Sequence, residues 1–237
     1  MSLASLQMPL GVPGYQYDSA AQMAEALAQR IAETLRQALG ERGRALLLVS
    51  GGRSPVALFE RLAREPLPWK QVLVSLVDER WVAPSHPDSN EALVRRHLLQ
   101  GPAAEACFVS LYQPAASHAQ AADLAEARLA GLPPADVLLL GMGDDGHSAS
   151  LFPGSPNLAE ALREDCPQRL LPMRAPSAPV ERLSLTLPPL RAARVALLAI
   201  QGQPKLATLT RALQPGPAEA LPIRALLRPP LQIHWCP

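Results

Sequence analysis

The sequence predicts an α/β protein in which a mostly parallel sheet is covered by helices on both faces. Three observations carry that prediction. Short, almost wholly apolar runs recur at residues 44–49 (RALLLV), 72–77 (VLVSLV) and 136–140 (DVLLL), as expected of strands buried on both sides. Amphipathic stretches of helical period separate them. Irregular segments rich in glycine, serine and charge begin where those runs end, at the strand ends where such sheets bind ligands. Apolar residues make up 48% of the 237, enough for a sizeable core. At this length the chain is one large domain, or two small ones sharing a core.

Asp18 or Ser19 caps a first helix running to Leu39, with Met23, Leu27, Ile31 and Leu35 as its stripe and Gly40 just past its end. The strand at 44–49 follows. Ser54-Pro55 then opens a helix to about Arg64, with proline at its first position. After the strand at 72–77, Asp88, Ser89 and Asn90 offer caps for a helix to Leu99. A weaker strand at 107–111, a helix at 117–130 and the strand at 136–140 lead into a long irregular loop, 141–157. The last third holds strands at 182–187, 195–200 and 231–235, with a helix at 203–213 before the last. The proline-rich segment 172–179 (PMRAPSAP) reads as a surface loop.

Composition narrows the function. A net charge of +1 with 18% charged residues lacks the basic surplus that nucleic-acid binding by bulk electrostatics needs. No apolar run approaches the roughly 18 residues of a transmembrane helix, and residues 1–14 lack the pattern of a secretory signal. Cys107, Cys166 and Cys236 are odd in number and without CxxC spacing, which disfavours a disulfide framework or zinc knuckle and fits a reducing cytoplasm. Only Lys70 and Lys205 among the 22 basic side chains are lysines.

Four segments carry candidate chemistry. Ser50-Gly51-Gly52-Arg53-Ser54-Pro55 lies between a buried strand and a helix. Its glycines allow close backbone approach, its hydroxyls and cation suit a phosphate monoester, and the following helix start favours an anion. It is neither a Walker loop nor a GxGxxG, so no nucleotide is implied. Asp78-Glu79-Arg80 ends a buried strand, where such charges are costly unless paired or used. Gly141-Met142-Gly143-Asp144-Asp145-Gly146-His147 sets a histidine beside two acids, an acid/base arrangement. No second His or Cys lies near to complete a metal site. Lys205 stands near a helix start, where a bound anion would relieve an unfavourable dipole. His86, His97, His118 and His234 are given no role. Ser50 lacks the glycine two positions before it that a nucleophile elbow needs, which argues against a serine hydrolase.

In this order the segments SGGRSP (50–55), DERWV (78–82), SN (89–90), GMGDDGHSASLFP (141–153) and Lys205 resemble the 6-phosphogluconolactonase family, part of a wider group that includes glucosamine-6-phosphate deaminases. The resemblance spans nearly the whole chain, and GMGDDGHSASLFP is its most specific element. It implies a single domain over residues 1–237 with a Rossmann-like fold, and hydrolysis of 6-phospho-D-glucono-1,5-lactone to 6-phospho-D-gluconate in the oxidative pentose phosphate pathway. It implies no metal and no organic cofactor. By position it makes His147 the general base supported by Asp145, with Arg80 facing the substrate. Ser50, Gly51, Gly52 and Arg53 would form the phosphate loop, with Lys205 and Arg182 as further phosphate contacts.

The nearest alternative is an amino-sugar phosphate deaminase or isomerase with Asp78 as base. That class carries a glutamate directly before the proline of its histidine motif, where this chain has Phe152 before Pro153. A sugar-phosphate sensor is the other alternative. Such modules usually carry a fused DNA-binding segment, for which the predicted elements leave no room.

Overall fold

A computed structural model describes residues 2–237. The short strand β1 (Gly14–Gln16) precedes helix α1 (Ala20–Arg42), which Ser19 caps by accepting the Gln22 N–H. The helix runs through Gly40 and stops at Gly43, whose left-handed φ of 69° supplies the terminating turn. The helix is thus longer than the expected end at Leu39. Next come β2 (Ala45–Val49), α2 (Val56–Leu62) and β3 (Val72–Leu76). At Val77 the chain leaves the sheet, and Asp78–Arg80 forms β4 in a different one. Then follow α3 (Asn90–His97), β5 (Cys107–Val109), α4 (His118–Leu129) and β6 (Val137–Leu140). The long loop ends at the single-turn α5 (Leu158–Ala161). The chain closes with β7 (Leu170–Arg174), β8 (Glu181–Leu185), α6 (Leu187–Arg191), β9 (Val195–Gln201), α7 (Gly202–Ala212) and β10 (Leu231–Cys236).

Seven strands make the main sheet in the order β1-β10-β9-β6-β2-β3-β5, every neighbouring pair parallel. All five residues of β2 and all four of β6 are buried. Because side chains alternate between faces, both faces of the sheet centre are covered, as expected. The chain winds outward from β2 to β3 and β5, then returns to β6 on the other side of β2. The switch in winding direction therefore lies between β2 and β6, and their carboxyl ends open a crevice there.

The second sheet corrects the sequence reading. β4, β8 and β7 pair antiparallel, in that order. The strand expected at 182–187 is β8, not part of the main sheet. The segment expected as loop 172–179 gives its first three residues to β7. Proline at 172 obscures that strand in sequence, since proline donates nothing to a ladder. The Leu185 N–H donates to the Val77 carbonyl, joining this sheet to the end of β3.

Candidate active site

A cavity of about 310 Å³ lies at the carboxyl ends of β2 and β6 and is roofed by the small sheet. Ser50, Gly51 and Gly52 line it directly after β2. Asn90 forces the glycine at 51: its side-chain amide occupies the space a Cβ there would need. That amide also donates to the Asp78 carbonyl at 2.9 Å. The Ser50 hydroxyl is buried and has no hydrogen-bond partner, an unusual state for a buried polar atom unless a ligand completes it. Arg53 is exposed beyond Gly52 (φ 89°) and does not line the cavity. Its expected place in the phosphate loop is therefore not seen.

The loop after β6 brings His147 to the same cavity. His147 Nδ1 lies 2.5 Å from Asp145 Oδ1, and the same oxygen accepts the His147 backbone N–H at 3.2 Å. A Cβ on Gly143 would collide with both the imidazole and the Asp145 carboxylate, so this turn requires glycine. Burial alone would raise the Asp145 carboxyl, but the hydrogen bond and charge of His147 outweigh it and hold its pKa below the ordinary value. A carboxylate on Nδ1 selects the tautomer with its proton there, leaving Nε2 as the acceptor. Phe152 packs against the imidazole with ring centroids 4.3 Å apart.

The small sheet supplies cations. Arg80 and Arg182 are register partners across β4 and β8, and both line the cavity. Arg80 donates to the Asp88 carbonyl, while its Nε is buried without a partner. Arg182 donates from Nε to the Pro179 carbonyl at 2.8 Å. Burial, followed by the like charge of Arg80, lowers the Arg182 pKa. Two neighbouring guanidinium groups at a cavity wall invite an anion.

Lys205 lines the cavity from the first turn of α7. Its ammonium pairs with Asp144 at 2.9 Å. The unfavourable helix-start charge noted in the sequence is thus already answered by a carboxylate of the chain itself.

The structure therefore gathers Ser50, Gly51, Gly52, Arg80, His147, Arg182 and Lys205 around one cavity. Asp145 reaches it through His147, and Arg53 stands outside. The sequence marks Asp144 only as one of the two acids beside His147, and Asn90 only as a helix cap within the SN pair that carries part of the resemblance; the contact of Asn90 with Gly51 appears in the fold. Asp78 lines the cavity, its Oδ2 accepting the Ser150 hydroxyl at 2.6 Å. Glu79, the other acid of that segment, is wholly buried. Among the described residues, no group of three or more His, Cys, Asp or Glu side chains could hold a metal ion. No helix among them is long and apolar enough to cross a membrane.

Fold and site together define a doubly wound α/β protein with a glycine turn, a cluster of cations and a carboxylate-backed histidine at its topological switch point. The chain belongs to the glucosamine-6-phosphate isomerase/6-phosphogluconolactonase family, whose model matches residues 18–235. It is 57% identical over 238 residues to a 6-phosphogluconolactonase of Pseudomonas aeruginosa, with 100% of both chains covered. It is 51% identical over 237 residues to one of Pseudomonas putida, covering 100% of this chain and 98% of that protein. The crystal structure of a 6-phosphogluconolactonase from Shewanella baltica superposes with a TM-score of 0.93 at 36% identity, covering 98% of this chain and 100% of that one.

Proposed function

We propose that this chain is a lactone hydrolase that converts 6-phospho-D-glucono-1,5-lactone to 6-phospho-D-gluconate in the oxidative pentose phosphate pathway. One observation carries the assignment of roles. The His147–Asp145 pair shares a cavity with the Ser50–Gly52 turn, Arg182 and Lys205, so acid/base chemistry and phosphate recognition meet in one site. Residues 1–237 act as one catalytic domain, since both sheets contribute to that cavity.

The Ser50 hydroxyl and the backbone at Gly51 and Gly52 receive the phosphate, and Arg182 and Lys205 neutralise its charge. Held there, the ring presents its carbonyl carbon to a water on His147 Nε2. His147 takes a proton as the water oxygen bonds to C1. Arg80 stabilises the negative charge that develops on the carbonyl oxygen. Collapse of the tetrahedral intermediate breaks the bond from C1 to the ring oxygen, and the imidazolium returns the proton to that oxygen. Water adds across one ester bond, so atoms and charge balance. Asp145 keeps the ring oriented and favours the imidazolium. A lactone is an activated ester, and none of these steps requires a metal or organic cofactor.

Phe152 supports the lactonase reading over an amino-sugar phosphate deaminase. An apolar ring packs on the imidazole where the deaminase pattern places a glutamate. The three free thiols, Cys107, Cys166 and Cys236, suit the reducing cytoplasm in which we place the reaction. The test is acid release from freshly prepared 6-phosphogluconolactone, corrected for spontaneous hydrolysis, beside gluconolactone without phosphate and with and without EDTA. Strong preference for the phosphorylated lactone, indifferent to chelator, is expected. Equal kcat/KM on both lactones would overturn the phosphate site, and loss of activity in EDTA restored by a divalent ion would overturn metal-free chemistry.

A further inference from the structure

Glu79 is 0% exposed, yet its carboxylate is not idle. Oε1 accepts the backbone N–H groups of Arg80 and Asn90, both at 2.7 Å. Oε2 accepts the Glu91 N–H at 2.7 Å and the Ser89 hydroxyl at 3.0 Å. Four donors surround one carboxylate, which leaves it no free lone pair with which to act as a base. It is tied at once to β4 and to the first turn of α3, whose cap is Ser89. Two of the residues it holds, Arg80 and Asn90, line the cavity. Asn90 in turn packs its amide over Gly51 and donates to the Asp78 carbonyl.

We propose that Glu79 is a positioning residue that sets the Arg80 guanidinium and the Ser50–Gly52 phosphate turn at their working separation, by clamping β4 to the Ser89–Glu91 turn. Substrate does not reach it. It acts through Arg80 on the carbonyl side and through Asn90 and Gly51 on the phosphate side. The geometry favours this over simple core filling. A buried carboxylate is costly unless its lone pairs are satisfied, and here all the donors come from Arg80 and the Ser89–Glu91 turn. The kinetic readout rests on the proposed lactonase activity, whereas the phosphate readout does not.

The experiment uses Glu79→Gln in the full-length protein at pH 8, with the folded fraction measured by circular dichroism. The amide keeps the shape but turns two N–H groups toward donors. KM for 6-phosphogluconolactone is expected to rise and kcat to fall, lowering kcat/KM about 10- to 100-fold, the size of one or two charge-assisted hydrogen bonds misplaced. The dissociation constant of inorganic phosphate, followed by NMR shifts, is expected to weaken several-fold. Ser89→Ala removes one of the four donors more gently and is expected to shift both quantities the same way by less. It remains decisive should Glu79→Gln fail to fold. Wild-type KM, kcat and phosphate affinity in the folded fraction of either variant, with only the melting temperature lowered, would overturn the positioning role. A wild-type protein that binds phosphate but does not hydrolyse the lactone would overturn the activity, and the phosphate arm would still decide the clamp.

Discussion

The two sheets divide the work of the cavity differently. The seven-stranded parallel sheet contributes groups carried on turns beyond its strand ends: Ser50 to Gly52 after β2 and Gly141 to His147 after β6. The three-stranded antiparallel sheet contributes groups from within its strands, Arg80 and Arg182, fixed by register. A turn at a parallel strand end can approach a ligand with its backbone and, as at His147, present a ring held by its own loop. A strand position holds a long side chain in one direction against its cross-strand neighbour. The proposed acid/base group and phosphate turn therefore sit on the large sheet, and two cations face them from the small one.

The comparison is most severely tested at His147, on the large-sheet side. His147→Asn keeps a polar side chain but cannot take the proton. kcat is expected to fall by about 10²–10⁴, with phosphate affinity near wild type. Activity above about a tenth of wild type would move the base elsewhere. Asp78 would be the next candidate, because it lines the cavity, whereas every acceptor of Glu79 is occupied.

Removing cations tests both sides, Arg182 on the small sheet and Lys205 on α7 beside the large one. On the proposed roles, Arg182→Ala and Lys205→Ala each delete one charge-assisted contact to phosphate, worth about 1.5–3 kcal/mol. Each is expected to cost roughly 10- to 150-fold in kcat/KM, expressed mainly in KM. Arg182 has the further consequence of leaving Arg80 without its like-charged neighbour. Comparable losses on gluconolactone without phosphate would show that these cations do not read the phosphate at all.

Glu79 offers a test through stability. Burial raises its pKa to about 7, against the pull of its four hydrogen bonds. With the folded value above the ordinary carboxyl value of 4.5, its contribution is fully present below about pH 4.5 and is lost as pH rises through about 7. Glu79→Gln does not titrate. Urea unfolding of both proteins between pH 4.5 and 8 is expected to show wild type losing ground relative to the variant by at most roughly 1.4 kcal/mol per pH unit. A flat difference would mean that the donors outweigh burial and keep the carboxylate ionised throughout.

The sequence made the centre of the large sheet legible because a strand buried on both faces is a continuous apolar run, as at 45–49 and 137–140, whereas its short exposed edge strand β1 has no such run. Its site turns were legible for the same reason, since glycine and charge stand out after such runs. The small sheet was not. β4 has three residues, all charged, and β7 contains a proline, so neither shows a strand pattern, and only tertiary pairing makes them strands. Charge beside a glycine turn marks Arg53 in the sequence, whereas in the fold its side chain is exposed and outside the cavity lining. Asn90 shows in the sequence as a helix cap and Glu79 as a strand-end carboxylate that must be paired or used, but their partners on other elements, the first turn of α3 for Glu79 and both β4 and the turn after β2 for Asn90, appear only in the fold.

The smallest expected effect separates recruitment from repulsion at the cavity mouth. Lys205 faces the site from α7, which follows β9 of the large sheet, and its ammonium is held by Asp144, whose side chain is 75% exposed. An exposed ion pair of this kind is worth about 0–1 kcal/mol, so Asp144 can shift phosphate affinity by no more than roughly fivefold. The direction carries the information. A substrate phosphate must draw Lys205 away from Asp144 and must also approach a carboxylate of like charge. Both effects oppose binding, so Asp144→Asn is expected to lower KM for the phosphorylated lactone by up to that factor, with kcat unchanged. The gain is expected to shrink as salt is added, because screening weakens both effects in the wild type. A rise in KM would reverse the reading: Asp144 would then be the group that holds Lys205 in its phosphate-binding position, and α7 would be supplying a pre-set cation, as the small sheet does with Arg80 and Arg182.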